Sequence, residues 1–508
     1  MPFVYSLLFV IAAAIALALY LGYIAASGLL AAAVAVAAYG LALPAGYLAA
    51  VGQVMALRPA GLLPPESWPQ PPEGGDPAVL QYFYGPAMAD ARHAMTVAYQ
   101  RSREWWSDGA DRVRSALHSD LLPATVPVGI GGAVGMAAGA VAGALLAAGC
   151  AAVYLLIVVV CTVGVRAAGA VLRGIDSGLL RMKNIRIHCP NCGERVPYPG
   201  YVCPGPQCVH RHRDVRPGRF GIIRRYCRCG KRMKTLLLFG SAQMTAFCPR
   251  CGTLWQHHPG TDPEIVLAFF GAARAGKTRL VSAMITQLTN WATAKKLSAG
   301  PADNATADIL QGAAEMLLPD RATPVTPVQP PRSLLIQVSS GKVTQLLHLF
   351  DAAGELYQDT VRTEGLLFLG SARTFILVIN PLSVQAAWPH RPDGRPAEPA
   401  KQSPDAVYHR VYQHIEAMHV PLSEARLAVV FSHADLMPTS GGDVAEWACR
   451  ELGLSNLVRS ARQNFQEVRF FRTAAVAAKD GTVDGSIAEL LRWVLAGSGL
   501  SLPGEDDD

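Results

Sequence analysis

The chain has 508 residues, 51% hydrophobic and only 16% charged, well short of the roughly 25% charge of soluble domains. At about 150 residues per domain there is room for roughly three. The charge deficit excludes a disordered scaffold and an ordinary soluble enzyme, and it is concentrated in two blocks. No Asp, Glu, Lys or Arg occurs before Arg58, and none between Asp120 and Arg166.

The first block, within residues 1–57, is long enough for two membrane crossings at about 20 residues each. They fall near Phe3 to Leu21 and Leu29 to Met55, with Gly22 to Gly28 as the turn. The sequence lacks the basic start and short apolar core of a cleaved signal peptide. Residues 58–122 start with a run of prolines and continue as a predicted helix near Val79 to Leu117. Trp105 and Trp106 in that helix suit either a bilayer interface or packing on the soluble part. The second block, within 123–175, again fits two crossings, Val126 to Ala148 and Ala151 to Leu172. Gly131, Gly135, Gly139 and Gly143 fall four apart, which stacks them on one helix face and admits a close neighbour. Lys and Arg are enriched just after this block, which predicts a cytoplasmic C-terminal half. The expectation is two hairpins, four helices, and both ends inside. Arginine outnumbers lysine, and alanine and glycine abound, a usage typical of GC-rich bacterial genomes. The predicted location is therefore a bacterial inner membrane.

Residues 183–258 are basic and rich in cysteine. From Arg181 to Arg250 there are 15 Lys and Arg against Glu194 and Asp214, within a chain of net charge +7. Four close cysteine pairs lie here: Cys189/Cys192, Cys203/Cys208, Cys227/Cys229 and Cys248/Cys251. In a cytoplasmic setting such pairs read as metal ligands. Two turns bearing two thiolates each complete a tetrahedral zinc site, so two Zn²⁺ sites are expected. Sequential pairing is preferred, first pair with second and third with fourth, with an interleaved arrangement as the alternative. His188, His210 or His212 could replace a cysteine in the irregular middle pairs. Cys150, Cys161 and Cys449 read as packed small hydrophobes. Beside a membrane, the positive charge suits anionic lipid, with nucleic acid as the lesser alternative.

From Ile265 to Phe270 an unbroken apolar run predicts a buried parallel strand. It leads into Gly271-Ala272-Ala273-Arg274-Ala275-Gly276-Lys277-Thr278, and then into a helix with apolar residues at Leu280, Met284, Ile285 and Leu288. Strand, GxxxxGK[ST] loop and helix together form a phosphate-binding P-loop. The backbone N–H groups wrap the phosphates, Lys277 reaches the β- and γ-phosphates, and Thr278 ligates Mg²⁺. Leu346 to Phe350 is a further strand, ending in Asp351-Ala352-Ala353-Gly354-Glu355. Asp351 there can hold the shell of Mg²⁺, and the Gly354 N–H can meet a γ-phosphate. Strands are also predicted at Leu334 to Val338, Thr374 to Ile379, Arg426 to Phe431 and Val468 to Arg472. The last two lead into Ser432-His433-Ala434-Asp435 and Thr473-Ala474-Ala475.

In this order, the P-loop, DxxG, SHAD and TAA elements resemble the P-loop GTPases of the translation-factor-related (TRAFAC) class. With membrane helices and cysteine ribbons ahead of DAAGE, the chain looks most like the bacterial double-GTPase families linked to conflict systems. The resemblance covers about Asp262 to Ser498. It implies an α/β GTPase domain (262–498) with a mostly parallel sheet, GTP and GDP as ligands, and a switch ordered around the γ-phosphate. By position, Asp435 would accept the guanine N–H donors and Ala474 would offer its N–H to the guanine oxygen. Ser432 and His433 stand where Asn or Thr and Lys are usual, which weakens the preference for guanine over adenine. Glu355 replaces the water-positioning Gln, so slow hydrolysis is expected. Thr323 or Thr326 would supply the first-switch hydroxyl to Mg²⁺. Arg274 is either a cis arginine or a solvated side chain. Ala386 to Pro404 reads as an exposed insertion and 499–508 as an acidic tail.

The reading is multi-domain: helical membrane hairpins, zinc-ribbon modules and a GTPase domain acting on a protein effector at the membrane. An ATP-using membrane NTPase and a nucleotide-binding adaptor without turnover are the alternatives.

Overall fold

The computed structural model describes residues 2–56, 75–118, 122–294, 296–318, 331–357, 366–390, 402–437, 442–478, 481–496 and 498–504. Contacts divide the chain into two units, 1–174 with 216–236, and 175–215 with 237–508.

Each apolar block is one continuous helix, α1 (Pro2–Ala56) in the first unit and α3 (Leu122–Met182), which belongs to the first unit up to residue 174. The expected hairpins are therefore not formed. Nothing between Gly22 and Gly28 ends the helix: there is no proline or charge, and the Ser27 hydroxyl donates to the Ile24 carbonyl at 2.9 Å. At about 1.5 Å per residue, α1 alone is about 80 Å long, well beyond the ~30 Å hydrocarbon core. Both helices are long and apolar enough to cross a membrane. The small-residue stripe is where they meet. A Cβ on Gly131, Gly135, Gly139 or Gly143 would lie 2.1, 2.3, 3.0 or 2.8 Å from the carbonyls of Gly28, Ala32, Val36 and Gly40 respectively. Only hydrogen at these positions permits such backbone contact. Helix α2 (Pro86–Leu117) starts seven residues later than expected, after a 3-10 turn at Tyr82–Tyr84. It packs through Ala94 and Ala98 on Tyr47 and Ala50 of α1. Trp105 and Trp106 are both exposed, and the Trp106 ring lies 6.0 Å from that of Tyr39. The hairpin Arg224–Tyr226/Arg232–Lys234 completes this unit, with the buried Arg225 guanidinium paired to Asp76.

The second unit is built on a seven-stranded sheet. Its strands are β1 (Glu264–Phe270), β2 (Ser298–Pro301), β3 (Leu334–Ser340), β4 (Val343–Asp351), β5 (Thr374–Ile379), β6 (Arg426–Phe431) and β7 (Glu467–Arg472). Their spatial order is β7-β6-β5-β1-β4-β3-β2. The first five in that order run parallel, while β3 and β2 are antiparallel additions at one edge. The apolar runs sit in the middle because both faces there are covered. On one face lie α4 (Lys277–Thr293), α5 (Asn304–Ala313) and α10 (Gly485–Val494). On the other lie α6 (Leu367–Ser371), α7 (Pro404–Ala417), α8 (Val444–Glu451) and α9 (Ser455–Asn464). Strand β2 has no apolar run and was not foreseen. The carboxyl ends of β1, β4, β5 and β6 gather the loops flagged in the sequence.

Candidate functional site

Strand β1 buries Leu267 to Phe270 and delivers Gly271 to the edge of the sheet. The loop then turns through Arg274 at φ 62° and Gly276 at φ 94° before α4 begins at Lys277. Arg274 is exposed. The Lys277 side chain is buried, and its ammonium donates to the carbonyls of Gly271 (3.1 Å) and Ala272 (2.9 Å). The cation thus sits over the loop, where a polyphosphate would place its negative charge.

Thr278 and Asp351 meet although they are 73 residues apart, because β1 and β4 are parallel neighbours. The Thr278 hydroxyl donates to Asp351 Oδ2 at 2.6 Å. Asp351 Oδ1 is buried and has no hydrogen-bond partner among the described residues. Burial raises the Asp351 pKa, opposed by the Thr278 bond and the Lys277 charge. A hydroxyl and an unsatisfied carboxylate oxygen at the mouth of a P-loop are hard donors suited to Mg²⁺, which takes few protein ligands and completes its shell with phosphate and water. Gly354 lies against the same loop: a Cβ there would be 2.3 Å from the Ala273 nitrogen. Glu355 lies in the 3-10 turn Gly354–Tyr357, but its side chain is outside the described residues, as are Thr323 and Thr326.

The SHAD and TAA elements lie side by side. The Ser432 hydroxyl is buried against the carbonyls of Ala275 (2.9 Å) and Ile379 (3.2 Å) and the His433 Nδ1 (2.9 Å). Here Ser432 ties the P-loop to β5. His433 adopts φ 59° and opens the turn Ala434–Leu436, in which Asp435 is exposed. Thr473 joins this turn to β6, accepting from the Ala434 N–H (3.1 Å) and donating its own N–H to Phe431 (2.8 Å). The Ala474 N–H is already bonded to the Ser486 hydroxyl at 3.2 Å.

Arg279 was not singled out in the sequence. Its guanidinium donates to the carbonyls of Ala475 (2.9 Å), Leu317 and Leu318 (3.0 Å each). One side chain therefore joins the first turn of α4 to the TAA element. A charged residue next to a P-loop threonine, on a helix otherwise buried, was the available signal.

The cysteines form two four-thiol groups, but not in sequential pairs. The first pair joins the fourth, as Cys189, Cys192, Cys248 and Cys251, and the second joins the third, as Cys203, Cys208, Cys227 and Cys229. Both groups are made of cysteines alone among the described residues. In the first group, Gly200–Val202 pairs antiparallel with Ala246–Phe247, which carries Cys248 back to Cys189. Two equivalent knuckles result. Each leading cysteine donates its N–H to a carbonyl five residues on (Glu194, Thr253) and accepts from the glycine four residues on (Gly193, Gly252). Those glycines sit at φ 70° and 75°, where a side chain would be strained. Sulfur separations of 3.6 Å (Cys189–Cys251) and 3.9 Å (Cys192–Cys248) match the ~3.8 Å edge of a tetrahedron with ~2.3 Å Zn–S bonds. The thiols of this group share protons: hydrogen bonds from Cys189 first, then Cys192, lower the Cys248 pKa, while the same contacts raise Cys189 and Cys192. The donor set and spacing fit zinc.

A buried carboxylate joins this knuckle to the sheet. Glu264 Oε2 accepts from the His188 N–H (2.7 Å) and lies 3.2 Å from His188 Nδ1 and 3.1 Å from His348 Nε2. Burial alone would raise its pKa, but the two histidines reverse this and hold it at about 2. His257, stacked on Trp255, is pushed down to about 4, chiefly by burial.

Residues 265–494 match the model of a family described as Double-GTPase 2 (DO-GTPase2). No curated protein matches the chain. The matched segment runs from β1 to the end of α10, so it contains the P-loop, Asp351, the SHAD and TAA elements and the helices that cover the sheet. The chain therefore carries a P-loop domain of the GTPase family at residues 265–494, together with two apolar helices and two four-cysteine groups.

Proposed function

We propose that the protein is a membrane-anchored GTP-binding switch that hydrolyses GTP to GDP with Mg²⁺. The reading rests above all on the Thr278–Asp351 contact at 2.6 Å beside the Lys277 ammonium, with one Asp351 oxygen unsatisfied. In this reading Gly271 to Gly276 wrap the β-phosphate, Lys277 bridges the β- and γ-phosphates, and Thr278 and Asp351 hold the metal and its water. Bound Mg²⁺ would supply charge for the developing negative oxygens. Gly354, packed on the P-loop, would sense the γ-phosphate through its N–H. Asp435, exposed at the rim, would accept the guanine N–H donors. Glu355 in place of the usual glutamine favours slow intrinsic hydrolysis. Thr323 is our assignment for the first switch.

The anchor would be α1 and α3 in a bacterial inner membrane, with the zinc and GTPase parts cytoplasmic and the basic residues of 183–258 near anionic lipid. Both four-cysteine groups would hold Zn²⁺. Nucleotide state would be read by a protein effector, and a role in bacterial conflict systems follows from the family likeness.

A second reading, an ATP-using NTPase, is favoured by the Ala474 N–H, which is bonded to Ser486 Oγ and thus turned from a base. The test is competition of GTP and ATP against a fluorescent nucleotide on the full-length protein in detergent. A clear GTP preference that Asp435→Ala abolishes, with binding lost in Lys277→Ala, supports the switch. Equal competition, unaltered by Asp435→Ala, refutes guanine recognition.

A further inference from the structure

The first knuckle is bonded to the elements on either side of Asp351. The Pro190 carbonyl, between Cys189 and Cys192, accepts from the Ser333 N–H (2.8 Å) and hydroxyl (3.2 Å) at the start of β3. The Gly193 carbonyl, just after Cys192, accepts from the Ser371 hydroxyl (2.9 Å) at the end of α6. Gly193 touches the α6 backbone so closely that a Cβ would lie 2.5 Å from the Phe368 Cβ. Phe368 stacks on Phe350 at 4.8 Å between ring centroids, and Phe350 is the neighbour of Asp351. A third connection runs through Glu264, which holds the His188 N–H and the ring of His348, three residues before Asp351 on β4. Residues 188–193 thus bear on β1 and β4, from whose ends the P-loop and Asp351 emerge, and on the adjoining β3 and α6.

A four-thiolate knuckle keeps its shape only while its ion holds both turns together. Without the ion, the turn 189–193 loses its second anchor, and the carbonyls of Pro190 and Gly193 are no longer held in place for Ser333 and Ser371. We propose that the Cys189/Cys192/Cys248/Cys251 group is a regulatory metal site: its occupancy sets the position of the Asp351–Gly354 element, so zinc and Mg²⁺–nucleotide strengthen each other's binding. The inference rests on the nucleotide reading above and adds regulation to that same site. Linkage requires the two effects to be equal, and such couplings are typically about 5- to 150-fold.

The experiment uses the full-length protein in lipid nanodiscs loaded with zinc. Zinc affinity is measured by competition with a chromogenic chelator, with and without Mg²⁺ and a non-hydrolysable GTP analogue. Analogue binding is followed separately by fluorescence, with zinc present and removed. We expect one of two zinc ions to be held about 5-fold or more tighter with the analogue, and analogue affinity to fall by the same factor when that zinc is removed. The double variant Ser333→Ala/Ser371→Ala should retain both zinc ions while the coupling falls below about 2-fold. Analogue binding that leaves both zinc affinities unchanged overturns the inference alone, as does coupling that survives in the double variant. If that variant does not fold, the wild-type titrations still decide: analogue affinity that is unchanged on removal of zinc refutes the coupling. No analogue binding at all overturns the nucleotide reading and this inference with it.

Discussion

Replacing Gly354 by alanine tests whether the Asp351–Gly354 turn and the P-loop form one site. The added Cβ would stand 2.3 Å from the Ala273 nitrogen, 2.6 Å from the Ala272 carbonyl carbon and 2.9 Å from the Ala273 Cα. All three are backbone atoms, so no side chain can swing aside. Ordinary contact begins at 3.4 Å, which requires one loop to retreat by about 1 Å. Overpacking of this kind costs about 1–3 kcal/mol. If both loops hold nucleotide, that cost appears as a loss of about 5- to 150-fold in affinity. The assay is titration of the full-length protein in detergent with a fluorescent GTP analogue and Mg²⁺, alongside thermal unfolding. Gly300→Ala is the control, since nothing lies within 4 Å of its Cβ; it should shift stability by no more than about 0.5 kcal/mol. Wild-type affinity and wild-type melting in Gly354→Ala would refute the packing argument.

The cysteine grouping is decided by zinc content: Cys189→Ser/Cys251→Ser should lose one zinc ion of two, whereas sequential pairing would lose both. Acid should destabilise the second unit partly through His257, whose pKa falls from 6.5 to about 4. The unfolded state then binds the extra proton between these values, so its stabilisation is complete above pH 6.5 and is lost as pH falls toward 4. Between pH 7 and 5 this amounts to about 2 kcal/mol. His257→Phe should therefore lose about that much less over the same interval, and an unchanged pH profile of melting would rule the effect out. In the first unit, Gly135→Leu drives a side chain into the Ala32 carbonyl; melting in detergent should fall by several degrees, and wild-type melting would mean that α1 and α3 do not pack there.

Much of the GTPase domain was legible because its signals are local. The runs at 374–379 and 426–431 are strands over those same residues, since a strand covered on both faces leaves no place for polar side chains. The P-loop announced itself by spacing, and Asp351 by its place at the end of an apolar run. Strand β2 was not legible. Ser298–Pro301 is a short, half-exposed edge that pairs with β3 alone among the described residues, so nothing in its composition separates it from a loop. The missed turns in α1 and α3 have a different origin: uncharged glycine and serine break a helix only when water or a partner competes for the backbone.

By itself, the sequence determined which stretches are apolar, where phosphate-binding backbone must stand, and that eight thiols are available to metal. These properties belong to single segments, and hydrophobic burial and short-range geometry read them directly. Only the tertiary structure decided which thiols share an ion, because an antiparallel strand pair carries Cys248 back to Cys189 across more than fifty intervening residues. It also decided that the Ala474 N–H is occupied by Ser486, and that a knuckle carbonyl meets Ser371 at the end of α6. Hydrogen bonds between distant segments depend on how layers pack, and no spacing along the chain encodes them.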